Sequence, residues 1–245
     1  MSHADARAAR DELERLVDDA SFDLPDGFAD RVEHFVALLL EANRRLNLTR
    51  VVEPAAVARL HLLDSLAALP LIDDAGSTDP CLDLGSGGGV PGIVLALARP
   101  SRRWVLVDSV RKKADAMRDF VRELRLANVE VLAERAEDLG RDPDHREHYA
   151  LVTARACAAL PVLAEYALPL IAQRGRLLAW KGPIADEELR AGAAASRLVG
   201  GGPPDVIPAG FDALGDHRFV VIRKVRPAPS AYPRRPGEPS RRPLG

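Results

Sequence analysis

Between Phe28 and Leu46 the apolar residues Phe28, Val32, Phe35, Val36, Leu39 and Leu46 recur at intervals of three, four and seven, which predicts a helix with one buried stripe. A second helix is predicted from about residue 55 to 69, after Pro54, so residues 1–70 read as a helical N-terminal section. From residue 80 the period changes: the short apolar runs CLDL, WVLVD, VEVLA, YALVTA and RLLAW alternate with helical segments such as 112–126. That alternation predicts an α/β fold, a mainly parallel sheet with helices on both faces, over residues 71–226. The stretch 198–210, LVGGGPPDVIPAG, reads as a loop with room for one short strand, and HRFVVIRKV as a final strand. Residues 227–245 form a basic, Pro-rich tail.

Composition adds bounds. A chain of 245 residues, 47% apolar and 29% charged, buries roughly 70–75% of its surface on folding and needs no disulfide or metal to hold its core. Cys81 and Cys157 show no metal-ligand spacing and sit in apolar surroundings, which predicts two buried thiols in a reducing compartment. MSHADARAARDEL is too charged for a signal peptide, and no apolar run approaches the roughly 18 residues of a membrane span. A cytoplasmic monomer with no membrane partner is the expectation.

Charge is distributed unevenly. Residues 217–245 carry eight basic side chains and one acid, a formal +7, which leaves −9 on the rest of a chain whose net charge is −2. Such a strip can hold a polyanion on one face, with Arg234 and Arg235 suited to phosphate. It is equally the composition of a solvated Pro-rich tail without regular structure. The acidic and histidine-rich RDPDHREHY, with His145 and His148, reads as an exposed loop rather than a metal site.

The densest local signal is Asp83-Leu84-Gly85-Ser86-Gly87-Gly88-Gly89-Val90-Pro91-Gly92, directly after CLDL and directly before the helical run IVLALA. Glycines let a backbone turn sharply and approach a ligand at a helix start. A dinucleotide-binding GxGxxG requires glycine where Val90 stands and does not place an acid two residues before its first glycine. The spacing Asp83, Gly85, Gly87, Gly89 resembles instead the S-adenosylmethionine loop of class I methyltransferases. The resemblance implies a Rossmann-like, mainly parallel seven-stranded sheet, here with a helical N-terminal extension. In that class an acid ending the next strand holds the ribose hydroxyls; Asp108 ends WVLVD, 23 residues after Gly85. Asp108 also suits a plain helix cap. Arg135-Ala136-Glu137-Asp138, after the third strand, lies where the class places groups around the adenine. Lys112 and Lys113 at a helix start oppose the macrodipole and point to an anionic neighbour or to screening by water.

The acceptor is read after the fourth strand, at Ala154-Arg155-Ala156-Cys157. No Asn/Asp-Pro-Pro-aromatic tetrapeptide stands there, which argues against an exocyclic amine. There is no Pro-Cys either, and Cys157 has no adjacent His or Lys to activate it as the nucleophile of a cytosine C5 enzyme. Guanine N7 remains, since its lone pair attacks without prior deprotonation and requires alignment rather than a general base. His61, Asp64 and Ser65 crowd one helical turn, but neighbours in sequence do not present a hydrolytic triad; a site wall or a helix-packing role is expected. Lys181 ends a predicted strand at the ligand-facing edge and suits either substrate or solvent.

Together, Asn43-Arg-Arg-Leu-Asn47-Leu-Thr49, His61-Leu-Leu-Asp64-Ser65-Leu, LDLGSGGGVPGIVLAL, LVDSVRKK, Glu123-Leu-Arg-Leu-Ala-Asn128-Val, Arg135-Ala-Glu137, Arg155-Ala156, Trp180-Lys181-Gly182 and Tyr232-Pro-Arg234-Arg235-Pro-Gly resemble the glucose-inhibited division protein B family, the small-subunit methyltransferases G that modify guanine N7 in bacterial 16S ribosomal RNA. The likeness runs from about residue 28 to the end. It implies S-adenosylmethionine as cofactor and 16S ribosomal RNA or the small ribosomal subunit as partner. Gly85, Gly87 and Val90 would line the cofactor at the glycine turn, Ala136 and Glu137 would meet the adenosine, and Arg155 would reach the cofactor from the fourth strand. Asp108 follows from the class I pattern. His61, Lys181, Arg234 and Arg235 are the expected substrate contacts; no metal is expected.

Overall fold

The computed structural model describes residues 3–17, 22–74 and 80–245; residues 1–2 and 18–21 of the predicted N-terminal section and 75–79 of the predicted α/β region lie outside them. In chain order the helices are α1 (His3–Val17), α2 (Phe28–Leu46), α3 (Pro54–Val57), α4 (Asp64–Leu66), α5 (Leu69–Asp73), α6 (Gly92–Ala98), α7 (Arg111–Glu123), α8 (Ala136–Leu139), α9 (Leu160–Ala167), α10 (Asp186–Val199) and α11 (Glu238–Arg241). The strands are β1 (Cys81–Leu84), β2 (Trp104–Val107), β3 (Val129–Leu132), β4 (Tyr149–Arg155), β5 (Ile171–Lys181), β6 (Gly201–Pro208) and β7 (Arg218–Lys224).

They form one seven-stranded sheet in the order β3-β2-β1-β4-β5-β7-β6. The first five strands are parallel, and β7 runs antiparallel to both β5 and β6. The strand order reverses between β1 and β4, and ligands of such sheets bind outside the carboxyl ends of the strands that flank the reversal.

The predicted helix over Phe28–Leu46 is α2, and its apolar stripe is buried. It stops at Asn47, in the left-handed conformation with φ 48°, whose N–H returns to the Asn43 carbonyl. The second predicted helix is interrupted. Glu53 caps α3 by accepting from the amides of Ala55 and Ala56, Ala58–Leu63 widens into a π-helical turn, and α4 and α5 follow. Pro54–Asp73 is by composition long and apolar enough to cross a membrane, contrary to expectation, because only a few polar residues interrupt it; 67% of that stretch is buried inside the fold. Its apolar side chains join those of α1, α2 and α6 and the near face of the sheet in one core that runs from Ala6 to Val221, so the N-terminal section packs as a layer of the α/β fold. The far face packs on α9 and α10, with Tyr232 and Leu244 from the C-terminal segment.

Three expectations are corrected. The predicted loop 198–210 contains the eight-residue edge strand β6, where Pro203 and Pro204 are tolerated because the outer edge requires no donors. Cys157 is exposed rather than core, since it follows the end of β4 and the left-handed Ala156, φ 51°, which turn the chain out over the sheet edge. The Pro-rich tail is folded back on the protein and carries a helical turn, α11, because internal carboxylates and carbonyls take up its polar groups.

Candidate active site

The glycine turn is assembled from the strand beneath it. Gly85 N–H and Ser86 N–H both donate to the Val107 carbonyl at the end of β2, and Ser86 Oγ donates to the Asp83 carbonyl. Gly85 has φ 71°, and a Cβ there would lie 3.0 Å from Cys157 Sγ. Asp83, fully buried, accepts from Gly92 N–H at the start of α6 and from Thr153 Oγ1 of β4. A Cβ on Gly92 would fall 2.3 Å from Leu106, so only glycine lets the helix approach the sheet this closely. Burial pushes the Asp83 carboxyl up from its ordinary range. The acid before the glycines thus ties β1, β4 and α6 together under the turn. Asp108, also buried, joins β2 to the turn: Oδ2 accepts from Gly87 N–H at 3.0 Å and Oδ1 from Val110 N–H at 2.8 Å.

A cavity of about 640 Å³ opens beside this turn, between the N-terminal section and the carboxyl ends of β4 and β5. Gly85, Gly87, Val90, His61, Arg155 and Lys181 all line it. A smaller one, of about 200 Å³, lies beyond Gly85 and is lined by Ala136, Glu137, Tyr166 and Ser240 among others. The two share Gly85, Cys157 and Ala158 as their common wall.

Opposite the turn stands a polar network assembled by the motif residues. The helix stop at Asn43 and Asn47 directs the chain so that Asn43 Oδ1 accepts from Thr49 N–H, and Thr49 Oγ1 meets His61 Nε2 at 2.9 Å. Arg155 lies 3.2 Å from the other ring nitrogen, Nδ1; a guanidinium can only donate, so Nδ1 is the bare nitrogen and Nε2 bears the hydrogen. Burial first, and the Arg155 charge second, lower His61 to about 4, so it stays neutral near pH 7. Arg155 also donates to the Leu60 carbonyl and to Asp64 Oδ2, while Asp64 Oδ1 pairs with His217 Nδ1 at 3.0 Å. Ser65 Oγ closes back on the His61 carbonyl, a helix-packing role. His217 was not singled out in the sequence. It stands 153 positions from Asp64, and no local spacing signals the pair.

The remaining expected residues divide. Lys181 Nζ donates to Glu188 Oε1 at 2.8 Å and to the Ala158 carbonyl, which pins the segment after β4. Lys113 lines the mouth of the larger cavity with the exposed Arg50, and neither has an ion-pair partner among the described residues. Arg235 is exposed. Arg234 turns inward: its guanidinium grips the fully buried Glu165 through Nε and Nη2 and donates to the Arg242 carbonyl, which commits it to internal contacts. Among the described residues no group of three or more His, Cys, Asp or Glu could hold a metal ion, and His145 instead meets the Tyr149 hydroxyl.

S-adenosylmethionine fits this donor set. Asp108, directly after β2, and Glu137, within α8, are buried acceptors suited to hydroxyls and an exocyclic amine and would repel a phosphate, and no lysine or arginine follows the glycines within α6.

A match to the family GidB, rRNA small subunit methyltransferase G, spans residues 29–203. The ribosomal RNA small subunit methyltransferase G of Deinococcus radiodurans is 43% identical over 240 residues, 97% of this chain and 93% of that protein. Its namesake from Pelotomaculum thermopropionicum is 45% identical over 213 residues, 86% and 89%. Among solved structures, the S-adenosylmethionine-dependent methyltransferase SibL has a TM-score of 0.54 at 18% identity, covering 88% of this chain and 73% of its own. The CurJ carbon methyltransferase has 0.53 at 14%, covering 91% and 68%. These two show a shared class I fold.

Proposed function

Because this chain belongs to the GidB family, rRNA small subunit methyltransferase G, we propose that it moves the methyl group of S-adenosylmethionine to N7 of a guanine in the decoding-region loop of 16S ribosomal RNA, in the cytoplasm. The observation that carries this reading is the pair of cavities that meet at Gly85, Cys157 and Ala158 over the β1/β4 crevice. The smaller receives adenosine, with Ala136 against the base and Glu137 as acceptor for its amine, while Asp108, held on Gly87 and Val110 beside the turn, is the acceptor for the ribose hydroxyls. The larger receives the amino-acid end beside Gly85, Gly87 and Val90, and the guanine from the side of His61 and Lys181. Arg155 lines the larger cavity and holds the N-terminal layer to β4.

When bound, S-adenosylmethionine supplies a methyl group on a positively charged sulfur. Guanine N7 presents its lone pair without losing a proton, so the side chains need only align it and exclude water. The His61 ring suits that role: it is neutral, buried and held at both nitrogens, a wall rather than a base. Arg50 and Lys113 at the cavity mouth, with Arg235 on the tail, supply phosphate contacts that position the loop without reading its sequence. Bases in RNA loops can be unstacked and presented to a pocket, as N7 methylation here requires.

The test is transfer of a tritiated methyl group to small subunits that lack the modification, followed by reduction and aniline cleavage. Strand scission at one guanine supports N7 chemistry. Cofactor binding with no label in RNA overturns the assignment of the acceptor.

A further inference from the structure

Residues 227–245 do more than carry charge. Glu165, with no exposed surface, accepts from Arg234 N–H at 2.8 Å and from the Arg234 guanidinium at 2.6–3.1 Å. Arg146 collects the carbonyls of Gly140, Ala228, Pro229 and Tyr232, and Arg141 donates to the Pro233 carbonyl. The segment is thereby laid across α8 and α9. Two further bonds bring it to the smaller cavity: Gly237 N–H donates to Glu137 Oε1 at 2.7 Å, and Ser240 Oγ lies 2.7 Å from the Tyr166 hydroxyl. Tyr166, Ser240, Glu137 and Ala136 line that cavity together.

We propose that the C-terminal segment is the outer wall of the adenosine subsite, with Ser240 and Tyr166 closing the pocket over the nucleoside and the Arg234–Glu165 pair holding the wall in place. The inference rests on the reading that the smaller cavity receives adenosine. It gives the segment a role in cofactor affinity that basic composition does not suggest, and it makes Glu137 a shared residue, with Oε1 on the wall and Oε2 without a hydrogen-bond partner among the described residues. Since the wall is part of the pocket, cofactor and wall must stabilise each other by the same factor.

The decisive variant is Ser240→Phe. Position 240 is exposed, so the fold tolerates the ring while the ring enters the pocket. Calorimetric titration with S-adenosylhomocysteine should give a Kd at least tenfold weaker than for the parent protein. 5′-Methylthioadenosine, which lacks the amino-acid end, should lose affinity by the same factor. A separate readout uses the unmodified chain: saturating S-adenosylhomocysteine should slow amide hydrogen exchange across residues 234–241, most of all at Gly237. Unchanged affinity in Ser240→Phe together with unchanged exchange would overturn the wall while leaving the cofactor site in place. Failure of the parent protein to bind S-adenosylhomocysteine would overturn both.

Discussion

Two segments reach the carboxyl edge of the sheet from opposite sides, and they are held there by different forces. The N-terminal layer is anchored chiefly by apolar burial: Ala6, Ala9, Leu13, Phe35, Leu39, Leu62, Leu63 and Leu66 share one core with Leu106, Leu151 and Leu178 of the sheet. Polar bonds are added at its rim, Arg31 on the Leu124 carbonyl, Asp73 with Arg99 and Asp74 with Arg176, and at its tip, where His61 and Asp64 meet Arg155. The C-terminal segment contributes little apolar surface, chiefly Ala228, Tyr232 and Leu244, and is held by hydrogen bonds and one buried ion pair. Apolar burial scales with area and tolerates local loss. A polar anchor depends on single partners, because a buried charge whose partner is removed has no solvent to replace it. The first segment is thus a layer of the core, and the second is a strap whose position rests on a few atoms.

The comparison breaks most sharply at Arg234. Arg234→Ala leaves Glu165 fully buried with only the amide of residue 234 to meet it. Urea denaturation should show a loss of about 3–5 kcal/mol, the usual consequence of orphaning a buried partner. On the other side, Asp64→Asn should cost only about 1 kcal/mol. There Arg155 keeps the Leu60 carbonyl and His61, and His217 is 36% exposed and reaches water. Equal losses at the two positions would erase the distinction.

A second effect, smaller and confined to the N-terminal tip, is pH dependence. His61 is lowered in the folded state to about 4 from 6.5. As pH falls below 6.5 the unfolded chain takes up a proton that the folded chain refuses, so stability present near neutrality is lost as pH approaches the folded value. Between pH 6.5 and 5 the cost is about 2 kcal/mol by linkage. His61→Gln should flatten that part of the stability profile, measured as urea midpoints across the range. A parallel profile in parent and variant would place the imidazole in a wetter site than its contacts indicate.

The sequence made the first segment legible and the second misleading, for a physical reason. Helical periodicity reports a buried stripe, so Phe28–Leu46 could be bounded from spacing alone, and strand–helix alternation with the glycine turn located the sheet and the crevice. Charge composition reports how many arginines a segment has and nothing about which way they face. Arg234 and Arg235 are adjacent and identical in type, yet one grips Glu165 and the other is exposed. The partners that decide this, Glu165 and Glu137, lie 69 and 100 positions from the residues they hold. His217 on Asp64 and the exposed Cys157 were hidden for the same cause, since long-range pairing and the direction of a loop after a strand leave no local period.

The smallest effect on stability is also the one that bears most on RNA. Arg50 and Lys113 line the larger cavity with no carboxylate partner among the described residues, whereas the tail's charge is partly committed to internal contacts. Replacing both with Ala should leave stability within about 0.5 kcal/mol, as exposed substitutions usually do. It should lower the magnitude of the salt dependence of RNA binding by about 0.7 for each phosphate that is no longer neutralised, as expected for single strands. Arg235→Ala measured the same way tests the strap's share. If the first pair moves the slope and Arg235 does not, RNA is held on the side of the N-terminal layer and the strap serves the cofactor. If Arg235 moves it as much, the strap contacts both ligands, and the two walls then divide the substrate between them rather than one to each ligand.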